Sequence, residues 1–116
     1  MPTLLIVDDS ALVRHAVASR LRVEGFDVRA EATLAGARTV DLTTIACAAV
    51  DIDLPDGSGL DLAAELLAKH PSLPVAFFTA STAPPEGHSP VFHKPDVEGL
   101  VAWVLSAGSS QPPPTK

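Results

Sequence analysis

Apolar residues fall along this chain in short blocks, and each block that reads as a buried strand ends at a polar residue capable of chemistry. Thr3 to Val7 is a continuous run of Leu and β-branched residues that stops at Asp8, the pattern of a strand covered on both faces. Ile45 to Val50 is wholly apolar and stops at Asp51, Val75 to Phe78 stops at Thr79, and the brief run Val91 to His93 stops at Lys94. Helical spacings lie between these runs. Leu12, Val13, Ala16, Val17 and Leu21 recur after Ser10, a fitting N-cap, and Gly25 stands where a C-cap glycine belongs. Leu60, Ala63, Leu66 and Leu67 make the stripe of a further helix, closed before Pro71 because proline disfavours helix in the residue preceding it. Leu100, Val101, Val104 and Leu105 mark a last helix behind Asp96. Val28 to Ala32 alternates apolar and charged residues as an outer strand does, and Leu34 to Val40 gives a short, weakly patterned helix.

Strands alternating with helices predict a parallel α/β sheet wound right-handed, with helices on both faces and ligands beyond the carboxyl ends of the strands. The polar residues of interest fall at those ends: Asp8 and Asp9 after the first strand, Asp51 and Asp53 after the third, Thr79 after the fourth, Lys94 after the fifth. In the strand order 2-1-3-4-5 the first and third strands are neighbours, so their carboxylates crowd together. A bound cation makes such crowding tolerable. Mg²⁺ suits it, because that ion takes one or two carboxylates and keeps waters that a phosphate can displace. An ionised Asp is also a competent nucleophile for phosphoryl transfer, a reaction governed by positioning and charge neutralisation. Thr79 offers a hydroxyl donor to a phosphoryl oxygen, and Lys94 a point charge on a long stem.

Composition narrows the field. The 116 residues fit one domain, and 47% apolar with 4% aromatic residues means a core of Ala, Val and Leu. A net charge of -6 repels phosphate backbones and anionic lipid, so neither nucleic acid nor a membrane is expected as a direct partner. The lone Cys47 has no partner for an internal disulfide and reads as a small core residue. No apolar stretch reaches the roughly 18–20 residues of a membrane span, and the opening apolar run stops at Asp8 without a basic flank, so a cytoplasmic protein is expected. His15, His70, His88 and His93 are scattered and read as surface residues, while Trp103 is expected to pack against the sheet.

The acidic pair in Leu5-Ile6-Val7-Asp8-Asp9-Ser10, then Asp51 with Pro55 four residues on and Gly59 eight on, then Thr79-Ala80 and Lys94-Pro95, stand in the order found in two-component response regulators. From residue 3 to about residue 107 the chain resembles their receiver domain. The resemblance implies a flavodoxin-like, doubly wound, five-stranded parallel sheet of order 2-1-3-4-5, with Asp51 as the phosphoacceptor. It further implies that Asp9, Asp51 and the backbone carbonyl of Asp53 hold Mg²⁺ directly, that Asp8 acts mostly through water, and that Thr79, the backbone N–H of Ala80 and Lys94 meet the phosphoryl group. A histidine kinase or phosphotransfer protein is the implied donor, slow self-hydrolysis the reset, and an unidentified downstream protein the reader.

The chain also departs from that pattern. Only ten residues separate Ala80 from Val91, with Pro84, Pro85, Gly87 and Pro90 among them, whereas a crossover that includes a helix needs about a dozen. The fourth helix is therefore expected to be missing or reduced to a loop, which puts output and dimerisation through its usual face in question. Phosphorylation is expected to order residues 81–90 instead of moving a helix. The family's switch aromatic falls at Val91, which carries no ring, with Phe92 on the opposite face. Residues 1–107 read as the receiver domain and 108–116 as a disordered, Pro-rich tail. A phosphohydrolase of the haloacid dehalogenase type would share Asp51-Ile52-Asp53, but it places its acidic pair after the lysine and needs a larger chain. A pseudo-receiver, signalling without phosphorylation, would explain the lost helix and ring but not the intact acidic pocket.

Overall fold

The computed structural model describes residues 2–80 and 89–109. Its parallel sheet comprises β1 (Thr3–Val7), β2 (Asp27–Glu31), β3 (Cys47–Val50), β4 (Val75–Thr79) and β5 (Val91–His93), side by side in the order β2-β1-β3-β4-β5. This is the order read from the sequence. Among the described residues four helices flank the sheet: α1 (Ala11–Val23), α2 (Leu34–Ala37), α3 (Gly59–Lys69) and α4 (Val97–Ser109). None of them stands between β4 and β5. Residues 81–88, which carry most of the expected loop and its ordering by phosphorylation, lie outside the described residues.

The three inner strands alternate their side chains between two apolar layers, as the two-residue period of a strand requires. Leu5, Val7, Ala48, Val50, Val75 and Phe77 face α2 and α3 and pack with Leu34, Ala37, Leu62, Ala63 and Leu66. Leu4, Ile6, Cys47, Ala49 and Phe78 face the other way and pack with Val17 and Leu21 of α1 and Leu100, Val101 and Val104 of α4. The small side chains of β3, Cys47-Ala48-Ala49, sit at the centre of both layers and are fully buried. Arg20 of α1 forks onto Glu98 of α4 at 2.8 and 3.0 Å, and Arg38 beside α2 forks onto Glu65 of α3 at 2.9 and 2.8 Å. Both pairs are exposed to water and so add little stability.

Several sequence-based boundaries shift. Leu12 belongs to the expected stripe of α1 yet is 78% exposed, and the buried face is Val17, Ala18 and Leu21. The reason is angular: five residues at 3.6 per turn put Leu12 about 140° around the helix from Val17. Leu60 is 40% exposed, and the buried face of α3 centres on Leu62, Ala63 and Leu66. The helix after β2 is a single turn, followed by a 3₁₀ turn at Leu42–Thr44, and β3 starts at Cys47. Helix α4 continues through Gly108, where a Cβ would stand 2.8 Å from the Phe26 ring and 3.2 Å from Cys47 Sγ. Trp103 is half-buried and packs against Phe92, their ring centres 6.3 Å apart. His15 and His93 are exposed, His70 is half-buried at the end of α3, and His88 lies outside the described residues. Among the described residues no helix is long and apolar enough to cross a membrane.

Two outcomes follow from this packing. Burial pushes the Cys47 thiol up to about 12, so iodoacetamide should leave the native protein unmodified at mildly alkaline pH and alkylate it once in denaturant, as read by intact mass. Leu62→Ala should lower stability by about 2–5 kcal/mol, seen as an earlier denaturant midpoint with an unchanged slope.

Candidate functional site

Backbone register builds the site. Val7 of β1 pairs with Val50 of β3, so the next residue on each strand, Asp8 and Asp51, emerge side by side. The ladder continues past the strand ends: Asp8 N–H donates to Glu31 O at 3.0 Å and Asp51 N–H donates to Val7 O at 2.8 Å. On the other flank Thr79 pairs with His93, and Lys94 N–H donates to Thr79 O at 2.9 Å, which sets Lys94 at the rim next to the buried Thr79. From there its stem reaches over β4. Its Nζ lies 2.8 Å from Asp8 Oδ2 and 3.0 Å from Asp51 Oδ2, so one ammonium bridges both carboxylates.

The carboxylates differ in surroundings. Asp8 is 1% exposed; its Oδ1 accepts from Ser10 N–H at 2.9 Å, while its buried Oδ2 has the Lys94 ion pair but no well-aligned hydrogen bond. Burial raises the Asp8 pKa above the ordinary carboxylate value, against the pull of Lys94 and of the Ser10 N–H. For Lys94 burial pulls downward, but hydrogen bonds to Asp8 and Asp51 win and leave the ammonium harder to deprotonate. Asp51 gives Oδ2 to Lys94, and its Oδ1 receives a long bond, 3.4 Å, from Asp53 N–H. Asp9 is exposed at the mouth. One oxygen from each of Asp8, Asp9 and Asp51 can be chosen so that all lie within 4.8 Å of one another.

That oxygen-only set fits a hard divalent cation such as Mg²⁺. Among the described residues, one ammonium pairs with Asp8 and Asp51 while Asp9 stands beside them, so the cluster is short of positive charge. Asp53 begins a two-residue hairpin in which Asp53–Leu54 pairs antiparallel with Gly57–Ser58, and its side chain is exposed. Ala80, exposed, follows Thr79 at the end of β4. Val91 packs into the α2 and α3 layer and Phe92 into the opposite one, as the alternation of β5 requires. Gly59 opens α3 directly against Asp51: an added Cβ would collide with Asp51 O and come within 2.8 Å of Asp51 C.

Two residues at the site were not singled out from the sequence. Arg14 donates from Nη1 to Asp8 O at 2.7 Å, pinning the backbone between the two acids from the first turns of α1. Asp56, at the hairpin tip, accepts from Leu34 N–H at 2.9 Å and Ala35 N–H at 3.1 Å, at the start of α2. Neither contact has a local signal. Arg14 has the spacing of any helical surface residue, and Asp56 sits in a Pro-Asp-Gly turn that gives no hint of a partner 22 residues away.

The sequence profile of the response regulator receiver domain matches residues 4–89. The photosynthetic apparatus regulatory protein RegA of Rhodovulum sulfidophilum is 34% identical over 122 aligned positions, covering 97% of this chain and 67% of RegA. The probable transcriptional regulatory protein TcrX of Mycobacterium tuberculosis is 34% identical over 85 positions, covering 70% of this chain but only 35% of TcrX. In fold, the non-phosphorylated receiver domain of HemR from Leptospira biflexa superposes with a TM-score of 0.86 at 24% identity, over 97% of this chain and 98% of that domain. TrrA of Thermotoga maritima, solved with Mg²⁺ and beryllofluoride, gives 0.82 at 21% identity over 92% and 99%.

Charge and space in the cluster generate two further outcomes. Added Mg²⁺ should raise the thermal midpoint of the protein in a saturable way, and Asp9→Asn should raise the metal-free midpoint while blunting that response. Gly59→Ala should cost about 1–3 kcal/mol in a denaturation experiment, because the collision is with backbone that cannot swing aside.

Proposed function

The chain belongs to the response regulator receiver family, and on that premise we propose that it accepts a phosphoryl group on Asp51 from the phosphohistidine of a histidine kinase or phosphotransfer protein. The observation that carries this reading is the bridging of Asp8 and Asp51 by Lys94 with Asp9 beside them, at the ends of neighbouring strands. Lys94 pairs with Asp51 Oδ2, whereas Oδ1 takes a long bond from Asp53 N–H, which makes Oδ1 the better placed oxygen to attack phosphorus. The O–P bond forms as the N–P bond of the donor histidine breaks, and the product is an acyl phosphate on Asp51.

Asp9, Asp51 and the main-chain carbonyl of Asp53 would hold Mg²⁺, with Asp8 acting through water. When bound, that ion supplies neutralisation of charge on the equatorial phosphoryl oxygens. Lys94 adds a second positive charge on the other side, while the Thr79 hydroxyl and the Ala80 N–H complete the cradle. Slow hydrolysis resets the switch, and no separate substrate is turned over. Output runs through contact with a downstream protein. The chain spans about two thirds of RegA and about one third of TcrX, so what this receiver regulates belongs to the same proposal. A cytoplasmic setting goes with a kinase donor.

Incubation with acetyl phosphate and Mg²⁺ should add the mass of one phosphoryl group, and Asp51→Asn or chelation of the metal should abolish the addition. Lys94→Ala, which strips the cluster of its internal cation, should slow the addition by about 10²-fold. A wild-type protein that never gains the phosphoryl mass, or an Asp51→Asn variant that still does, would turn the reading toward a phosphorylation-independent binding module.

A further inference from the structure

Helix α2 is one turn long, and an isolated turn does not hold itself in water because nucleation fixes several residues for a single hydrogen bond. Its order must come from outside. The free N–H groups at its start are Leu34, Ala35 and Gly36; Thr33 Oγ1 accepts from Gly36 at 3.0 Å, and the other two are taken by the Asp56 carboxylate. Two of these three donors thus depend on a side chain that belongs to the acceptor loop. Gly57, next in that loop, runs at φ +153° and lies so close to α2 that a Cβ on it would meet Leu34 Cδ1 at 2.5 Å. The Leu34 N–H foremost holds the Asp56 carboxyl below its usual range, as a carboxylate at a helix start should be held.

The other end of the same loop is tied to the acceptor. Asp53 N–H points to Asp51 Oδ1, Gly59 N–H donates to Ile52 O at 2.7 Å, and the hairpin between them carries Asp56 at its tip. Converting the Asp51 carboxylate to an acyl phosphate weakens Oδ1 as an acceptor and sets phosphoryl oxygens in front of Asp53 N–H, so the hairpin root has to re-aim. Its tip cannot shift without pulling on the two bonds that keep α2 wound.

We propose that Asp56 is the positioning residue through which the phosphorylation state of Asp51 sets the order of α2, making α2 a switch element of this receiver. The proposal rests on the phosphoacceptor reading above.

The test is residue-resolved amide exchange by NMR on the whole chain, with Mg²⁺ alone and with Mg²⁺ plus beryllofluoride, while the fluorine spectrum reports adduct formation independently. In the wild-type protein the exchange of Leu34 and Ala35 should change by about 5-fold or more on adduct formation, the lower edge of typical coupling between sites. In Asp56→Ala those amides should exchange quickly in both states while the adduct still forms. Asp56→Asn, which keeps one acceptor oxygen and disturbs the fold least, should fall between. An adduct that forms in the wild-type protein and leaves Leu34 and Ala35 unchanged would overturn the coupling alone, as would full protection of those amides in Asp56→Ala. Absence of any adduct in the wild-type protein would remove the phosphoacceptor reading and the coupling with it.

Discussion

Everything at the working end of this protein follows from two carboxylates being forced together. The β1–β3 register leaves Asp8 and Asp51 no choice but to emerge as neighbours, and the apolar layers beneath them deny both side chains much water. Like charges so placed repel strongly unless a cation stands between them. Lys94 is that cation here, delivered from the far side of the sheet on a stem long enough to span β4. One ammonium against three acids still leaves a deficit. That residual negative field suits a divalent ion.

Most of the frame was legible in the sequence because buried parallel strands are continuous apolar runs, and the residues that end them declare themselves. Asp8, Asp51, Thr79 and Lys94 could be assigned to strand ends, and once the strand order was in hand their convergence was geometry. Helix faces were less legible. The stripe through Leu12 and Leu60 counts apolar residues but does not fix which side of each helix meets the sheet, so it includes side chains turned away from the core. Side-chain bonds from a helix or a loop onto the backbone of another segment were not legible. Arg14 on the Asp8 carbonyl and Asp56 on the α2 amides depend on how loops are set over the folded sheet, and no local pattern encodes that.

The two faces of the sheet are built to different standards. On one, α1 and α4 are each 13 residues long and joined by the Arg20 fork, with several turns of packing to resist change. On the other, α3 is well seated but α2 is a single turn held by side-chain caps and by Arg38 on Glu65. Local stability within a fold tracks such differences, and elements that move are drawn from the weakly held end.

Gly108 gives the molecule a polarity. It lets α4 close against Phe26 and Cys47, residues at the amino ends of β2 and β3, whereas the acids and Lys94 gather at the carboxyl ends of the strands. The carboxyl end of α4 therefore sits at the pole opposite the acids and Lys94. Whatever binds at that end of α4 would stand roughly a strand's length of apolar interior away from the acids and Lys94, and so could not screen them.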